Sequence, residues 1–193
     1  LHQWNVKRLR PKCFLDYDLQ SETHTDLLWW FEGATSWLGD MICVRSGAWT
    51  EEDWRLDFER KMKRHTANNG MLRESLAESS HDAWIHLYRS GPYTRESQIS
   101  YYLEGELALL CLDTELRRRN DDTFGACDLM AELVRRYAIS SDEAEELGVD
   151  YNDIRKTLKS CPGGSSMGPY LDRLVQQRNH PNVQRALSSF RLK

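Results

Sequence analysis

The segment Asp26-Leu27-Leu28-Trp29-Trp30-Phe31-Glu32-Gly33-Ala34-Thr35-Ser36-Trp37-Leu38-Gly39-Asp40-Met41-Ile42-Cys43-Val44-Arg45-Ser46-Gly47 decides how the chain is read. Ala34, Trp37, Leu38, Met41 and Ile42 recur at helical steps, the spacing that gathers apolar side chains on one face of an α-helix. Ser46-Gly47 closes the stretch. It predicts a long helix with one buried face.

The same rhythm extends in both directions. Downstream, Thr50 followed by Glu51, Glu52 and Asp53 is a helix start, a capping hydroxyl with acids where the helix dipole favours them. That helix is expected to reach about His65 and to end at Asn68-Asn69-Gly70. Residues 74–89 carry a helical pattern through Leu76, Ala83, Trp84 and Leu87, and Ser90-Gly91-Pro92 is a turn signal. The strongest pattern runs from Ser97 to about Arg119. Asp121-Asp122-Thr123 is expected to cap a helix over about Phe124–Tyr137, Ser141-Asp142-Glu143 to start a short one, and Asp150–Ser160 to form another. After the loop Cys161-Pro162-Gly163-Gly164-Ser165-Ser166, a last helix covers about Pro169–Gln177. Upstream, residues 1–10 resemble a helix end broken at Arg10-Pro11, and a polar connector runs to Thr25. Period-two strands are hard to find. The expected fold is all-α, a helical bundle in a single domain over residues 1–193, with residues 140–193 supplying its C-terminal helices.

Composition narrows the function classes. The 193 residues, 40% hydrophobic and 29% charged, suffice for a buried core. No apolar run approaches the roughly 20 residues of a membrane span. The net charge of −4 and the short basic clusters Lys7-Arg8 and Arg117-Arg118-Arg119 argue against a nucleic-acid surface. Five widely spaced cysteines without a C-x-x-C pair argue against a thiolate zinc site and a disulfide framework. Cys111 and Cys127 lie in helical patterns and read as buried small apolar residues.

Three phrases carry a more specific message. The opening His2-Gln3-Trp4-Asn5-Val6-Lys7-Arg8-Leu9-Arg10-Pro11 resembles the segment that follows H-E-x-x-H in the glycyl aminopeptidase family of gluzincin zinc metallopeptidases. Trp29-Trp30-Phe31-Glu32-Gly33-Ala34-Thr35-Ser36 resembles the family's Trp-x-x-Glu-Gly-x-Thr-Ser phrase. Ser100-Tyr101-Tyr102-Leu103-Glu104-Gly105 resembles its Ser-Tyr-Tyr-x-Lys-Gly phrase. The resemblance implies zinc ligation by His2 and Glu32 and a hydrogen bond from Tyr102 to the developing oxyanion, with Tyr101 as the second candidate. It implies a fold corresponding to the C-terminal, mainly helical part of a thermolysin-like or aminopeptidase catalytic domain. The expected reaction is zinc-dependent hydrolysis of peptide substrates that releases small N-terminal residues such as Gly or Ala. Flanking β and PDZ-like domains are expected in the parent protein, in the cytoplasm or the periplasm.

The resemblance also raises the expectation that the chain starts inside H-E-x-x-H, so that the first histidine and the glutamate base lie outside it. With two ligands of three and no base, the isolated chain is expected to bind zinc weakly and to be inactive. Glu104 stands where the family usually has Lys, which alters a local charge. Glu78-Ser79-Ser80-His81-Asp82-Ala83-Trp84 reads as packing and pocket wall, and His24, His65, His81, His86 and His180 as surface or structural. Without the resemblance, Glu32 is a surface or capping acid, Tyr102 a core aromatic, and the chain a helical scaffold or interaction module whose seven tryptophans line a partner groove. Convergence of His2, Glu32 and Tyr102 on one cleft would favour the enzyme. Wide separation would favour the scaffold.

Overall fold

Trp29 to Arg45 is one continuous helical rod with a widened beginning. In the computed structural model, which describes residues 1–89, 91–138, 148–179 and 181–190, Trp29–Ala34 is a π-helix that runs directly into α1 (Thr35–Arg45). Trp29, Trp30, Phe31 and Ala34 are buried, and α1 continues the buried face through Trp37 and Leu38. Ile42 departs from the expected pattern: it is 47% exposed and faces a surface groove.

The other helices are α2 (Glu51–Thr66), α3 (Leu76–His81), α4 (Thr94–Ser97), α5 (Leu103–Arg118), α6 (Ala126–Tyr137), α7 (Tyr151–Ser160), α8 (Gly168–Val175) and α9 (Val183–Ser189). Among the described residues no strand forms, only two isolated bridges, Asn5 with Leu9 and Pro11 with Val149. The fold is an all-α helical bundle. The centre is α5, buried without a break from Leu103 to Thr114, as a helix enclosed on all sides must be. It packs chiefly on the π-helix and also touches α1, α2, α6, α8 and α9.

Caps set several boundaries. Thr50 and Asp53, Ser75 and Glu78, and Asp150 and Asp153 form capping boxes at the starts of α2, α3 and α7. Other boundaries depart from the expected ones because tertiary partners take up the backbone. The helix expected from Ser97 begins at Leu103. The Glu74 carboxylate accepts from Ile99 N at 2.7 Å, Asn68 Nδ2 donates to Gln98 O at 3.0 Å, and Ser79 Oγ donates to Ile99 O at 2.9 Å. These bonds hold residues 98–99 extended. The helix expected over 74–89 stops at His81 and continues as irregular turns, in which Trp84 is 44% exposed. Asp121 and Asp122 do not cap α6; both lie in a turn at positive φ, and α6 is capped by Asp128, which accepts from Gly125 N, and by Asp113, which accepts from Ala126 N.

Helix α9 was not expected from the sequence pattern. Asn182 caps it, and Phe190 beyond its end stands 5.4 Å from both the Trp37 and Trp54 rings. Residues 1–9 hold one helical turn closed onto Leu1 O rather than the end of a longer helix. The short helix expected to start at Ser141 and the residue His180 lie outside the described residues, and Ser90 of the Ser90-Gly91-Pro92 turn does too. Cys111 is buried, whereas Cys127 is exposed, contrary to the expectation for it, because it faces outward from the first turn of α6.

Candidate metal and catalytic site

The π-helix positions Glu32. Its i→i+5 pattern differs from the α pattern, a local irregularity common at functional sites. Several side chains meet the carbonyls of this segment. Asn5 Nδ2 lies 3.3 Å from Trp30 O, 3.4 Å from Phe31 O and 3.1 Å from Thr35 Oγ1. Thr35 Oγ1 donates to Phe31 O at 2.7 Å and Ser36 Oγ to Glu32 O at 2.9 Å. At the other end Ser80 Oγ accepts from Trp29 N at 3.0 Å. Within the segment only Glu32 is part-exposed.

A glycine contact sets the distance to α5. A Cβ added to Gly33 would lie 2.6 Å from Gly105 Cα, and one on Gly105 would lie 2.8 Å from Trp29 O. The two backbones touch here, so the residue before Gly33 and the tyrosine three before Gly105 come together.

His2 arrives from the N-terminal turn. Its Nε2 lies 3.4 Å from Glu32 Oε2, and its Nδ1 is 3.0 Å from Asn5 O. A carbonyl accepts only, so that bond places a proton on Nδ1 and leaves Nε2 as the ring nitrogen that faces Glu32. The Tyr102 hydroxyl lies close enough to the Glu32 carboxylate for each to act on the other's proton affinity. Burial raises the Glu32 pKa above the usual carboxylate range, while His2 and the Tyr102 hydroxyl pull it partly back. Burial likewise raises the Tyr102 phenol, and the Glu32 charge adds to this, so Tyr102 remains a neutral donor at pH 7.

The structure therefore brings His2, Glu32 and Tyr102 together, with Tyr101 buried behind Tyr102 and stacked on its ring. Tyr101 is 1% exposed, whereas Tyr102 is 38% exposed and open to the surface. Glu104 lies away from the cluster. It is buried on α5, 2.8 Å from His65 Nδ1 on α2, so its departure from the usual Lys is absorbed by a core pair. Ser79 and Ser80 make the packing contacts expected of them, and Glu78 pairs with Arg178.

Two other features compete for attention. Glu74, Asp82 and His86 offer ligand atoms within 4.8 Å of one another. Glu74 already accepts from Ile99 N and is 2.7 Å from His86 Nδ1, so it serves as a clamp on the backbone that leads into Tyr101. An apolar groove of about 690 Å³ is bounded by Trp4, Trp37, Met41, Ile42, Met130 and Phe190, and none of the three clustered residues lines it. The chemistry-bearing groups and this groove are thus different places. Trp29, Trp30 and Trp37 are fully buried, which leaves few tryptophans for a partner surface.

Comparison with known proteins agrees with the family suggested by the three phrases. Residues 1–108 match the family model described as M61 glycyl aminopeptidase. The crystal structure of an aminopeptidase N family protein from Idiomarina loihiensis superposes with a TM-score of 0.89 at 29% identity, covering 97% of this chain and 31% of that one. The chain thus spans less than a third of the length of this solved relative. No curated protein matches. With the family model spanning more than half of its residues, the chain belongs to the M61 glycyl aminopeptidase family.

Proposed function

We propose that this chain supplies the helical part of a zinc-dependent aminopeptidase site, with His2 and Glu32 as metal ligands and Tyr102 as the oxyanion donor. The observation that carries the reading is the convergence of these three side chains from distant parts of the sequence. The donor set suits zinc. Two donors on a tetrahedral zinc ion, each about 2.0–2.1 Å from it, stand about 3.4 Å apart, and His2 Nε2 and Glu32 Oε2 are 3.4 Å apart. Zinc bound there would acidify a water and polarise the scissile carbonyl.

The chain's own residues have three tasks. Asn5 O receives the His2 Nδ1 proton and so orients the ring, the support that metal-binding histidines usually have. Glu32 is held by the π-helix at the edge of a buried surface. Tyr102, neutral and part-exposed, offers its proton to charge developing on the substrate carbonyl. The substrates are peptides, with small N-terminal residues such as Gly or Ala released. No H-E-x-x-H sequence occurs in the 193 residues. The isolated chain lacks a base worth roughly 10²–10⁴ in rate and is inactive in this reading.

The test is hydrolysis of Gly- and Ala-anilides by the full-length gene product. Activity should be lost on chelation, return with zinc, and be abolished by Glu32→Gln. Activity that survives both chelation and Glu32→Gln overturns the reading.

A further inference from the structure

We propose that α3 is a bracket for the candidate site: Ser80 holds the segment that carries Glu32, while Ser79 and Glu74 hold the segment that carries Tyr102. The three are positioning residues. The inference rests on the site proposed above, because they act only through Glu32 and Tyr102.

Glu74, Ser79 and Ser80 are all buried, and a buried polar group needs a partner. Theirs lie on segments far away in the sequence. Ser80 Oγ donates to Leu76 O within the helix at 2.8 Å, which leaves its oxygen to accept from Trp29 N at 3.0 Å. Ser79 Oγ donates to Ile99 O at 2.9 Å, and the Glu74 carboxylate accepts from Ile99 N at 2.7 Å. Ile99 is thus gripped at both of its backbone polar groups.

The offsets match. Trp29 stands three residues before Glu32, and Ile99 stands three residues before Tyr102. Adjacent residues of a helix point about 100° apart, so two consecutive serines reach two different neighbours from one short helix. The glycine seam sets how closely the π-helix and α5 approach. Their register along that contact needs further fixed points, and α3 supplies them at Trp29 and Ile99. The bracket is itself secured: Ser75 and Glu78 form its capping box, and Glu78 pairs with Arg178, just beyond α8. Glu74, Ser79 and Ser80 stand outside the three phrases that carry the proposed site residues, and they reach the site only through the fold.

The first test needs no catalysis. Zinc affinity of the full-length gene product is measured by competition with a chelating dye. Ser80→Ala should weaken it about tenfold, as changes behind a metal ligand do, and Ser79→Ala should leave it within about twofold. Wild-type affinity in Ser80→Ala overturns the proposal. Equal losses in the two variants mark a general loosening of the fold and overturn it too. Glu32→Ala is the reference: if it leaves the affinity unchanged, the site reading falls and the bracket with it.

The second test is kinetic, in the zinc-loaded full-length gene product, well below each variant's melting temperature. Ser79→Ala and Glu74→Ala should each lower kcat about tenfold, with KM held within about twofold. Glu74→Gln keeps an acceptor for Ile99 N and a polar partner for His86 Nδ1, which lies 2.7 Å away, and should restore wild-type kcat. In a Tyr102→Phe background Ser79→Ala should add no further loss. Should Glu74→Ala fail to fold, Ser79→Ala decides, since it removes one hydroxyl and sets the best helix former in its place. A slow Tyr102→Phe beside a wild-type kcat in Ser79→Ala sinks the bracket and leaves the site reading intact. So does a Ser79→Ala loss that adds to that of Tyr102→Phe. Full activity in Tyr102→Phe removes the site reading, and the bracket with it.

Discussion

Gly33 and Gly105 meet backbone to backbone, so closely that a Cβ on Gly33 would lie 2.6 Å from Gly105 Cα. The contact has no flexible side chain to give way, so added volume must push the π-helix and α5 apart. Gly33→Ala is expected to cost more than about 2 kcal/mol in urea unfolding. Gly39→Ala is the control. Its Cβ would meet only Leu1 Cδ1, at 4.0 Å, so it should be neutral or stabilising by about 0.5–1 kcal/mol. Equal losses for the two variants would refute the argument.

The buried Glu104–His65 pair makes a prediction about the family's usual residue. Glu104→Lys would set an ammonium beside a buried imidazole and remove the partner at 2.8 Å. A loss of about 3 kcal/mol is expected, since breaking a buried pair leaves charge uncompensated. Glu104→Gln, which keeps an acceptor, should cost about 1 kcal/mol. Chemical denaturation of both variants checks the order, and a reversed order would show that the pair is not what holds Glu104.

Stability should fall as pH rises from about 4.5 to about 8 because of Glu106 in the cluster around Lys61. Lys61 Nζ lies 2.6 Å from Asp40, 2.7 Å from Glu106 and 2.9 Å from Asp57. Burial pushes Glu106 up to about 8, with Lys61 pulling against it and Asp40 adding to it. A folded pKa above the unfolded one gives stability that is full below about 4.5. That stability is lost as pH rises through about 8. Lys61 is also raised, against its own burial, by the surrounding carboxylates, so its contribution persists through that range and is lost only on the alkaline side. Unfolding followed from pH 5 to 9 should show a decline that Glu106→Gln flattens. A wild-type profile flat through pH 8 would contradict it.

For the isolated chain, zinc binding should be weak, with a dissociation constant on the order of 10⁻⁵–10⁻⁴ M for two protein ligands. His2→Ala and Glu32→Ala should each reduce it in a titration with zinc alone. Glu74→Ala reports on the other group of ligand atoms and should leave that binding unchanged. Binding abolished by Glu74→Ala but indifferent to Glu32→Ala would move the metal to the Glu74, Asp82 and His86 group.

Most helices, and the phrases that carry the three proposed site residues, were legible in the sequence because their signals are local. Thr50 with Asp53 and Asp150 with Asp153 announce their helices within one turn, and the phrases around Glu32 and Tyr102 are each continuous. What stayed hidden depends on contacts between distant segments. The widening of Trp29–Ala34 is supported by Asn5 and Ser80, which no periodicity in the segment itself could reveal. The late start of α5 follows from the hold of Glu74 on Ile99. Tyr101 and Tyr102 are neighbours of the same type, and only packing sorts the buried one from the open one. Helix α9 had a readable signal in Asn182, but its seven residues bury little beyond Val183 and Ala186.

Asn5, whose side-chain Nδ2 meets Trp30 O, Phe31 O and Thr35 Oγ1 while its backbone carbonyl accepts from His2 Nδ1, has a mechanical consequence. His2 and Glu32 ride on a single fixture. Thermal displacement of the N-terminal turn is shared by both, so the gap between imidazole and carboxylate is steadier than the position of either. The distance from that pair to Tyr102 is set separately, by the seam where the two glycines meet.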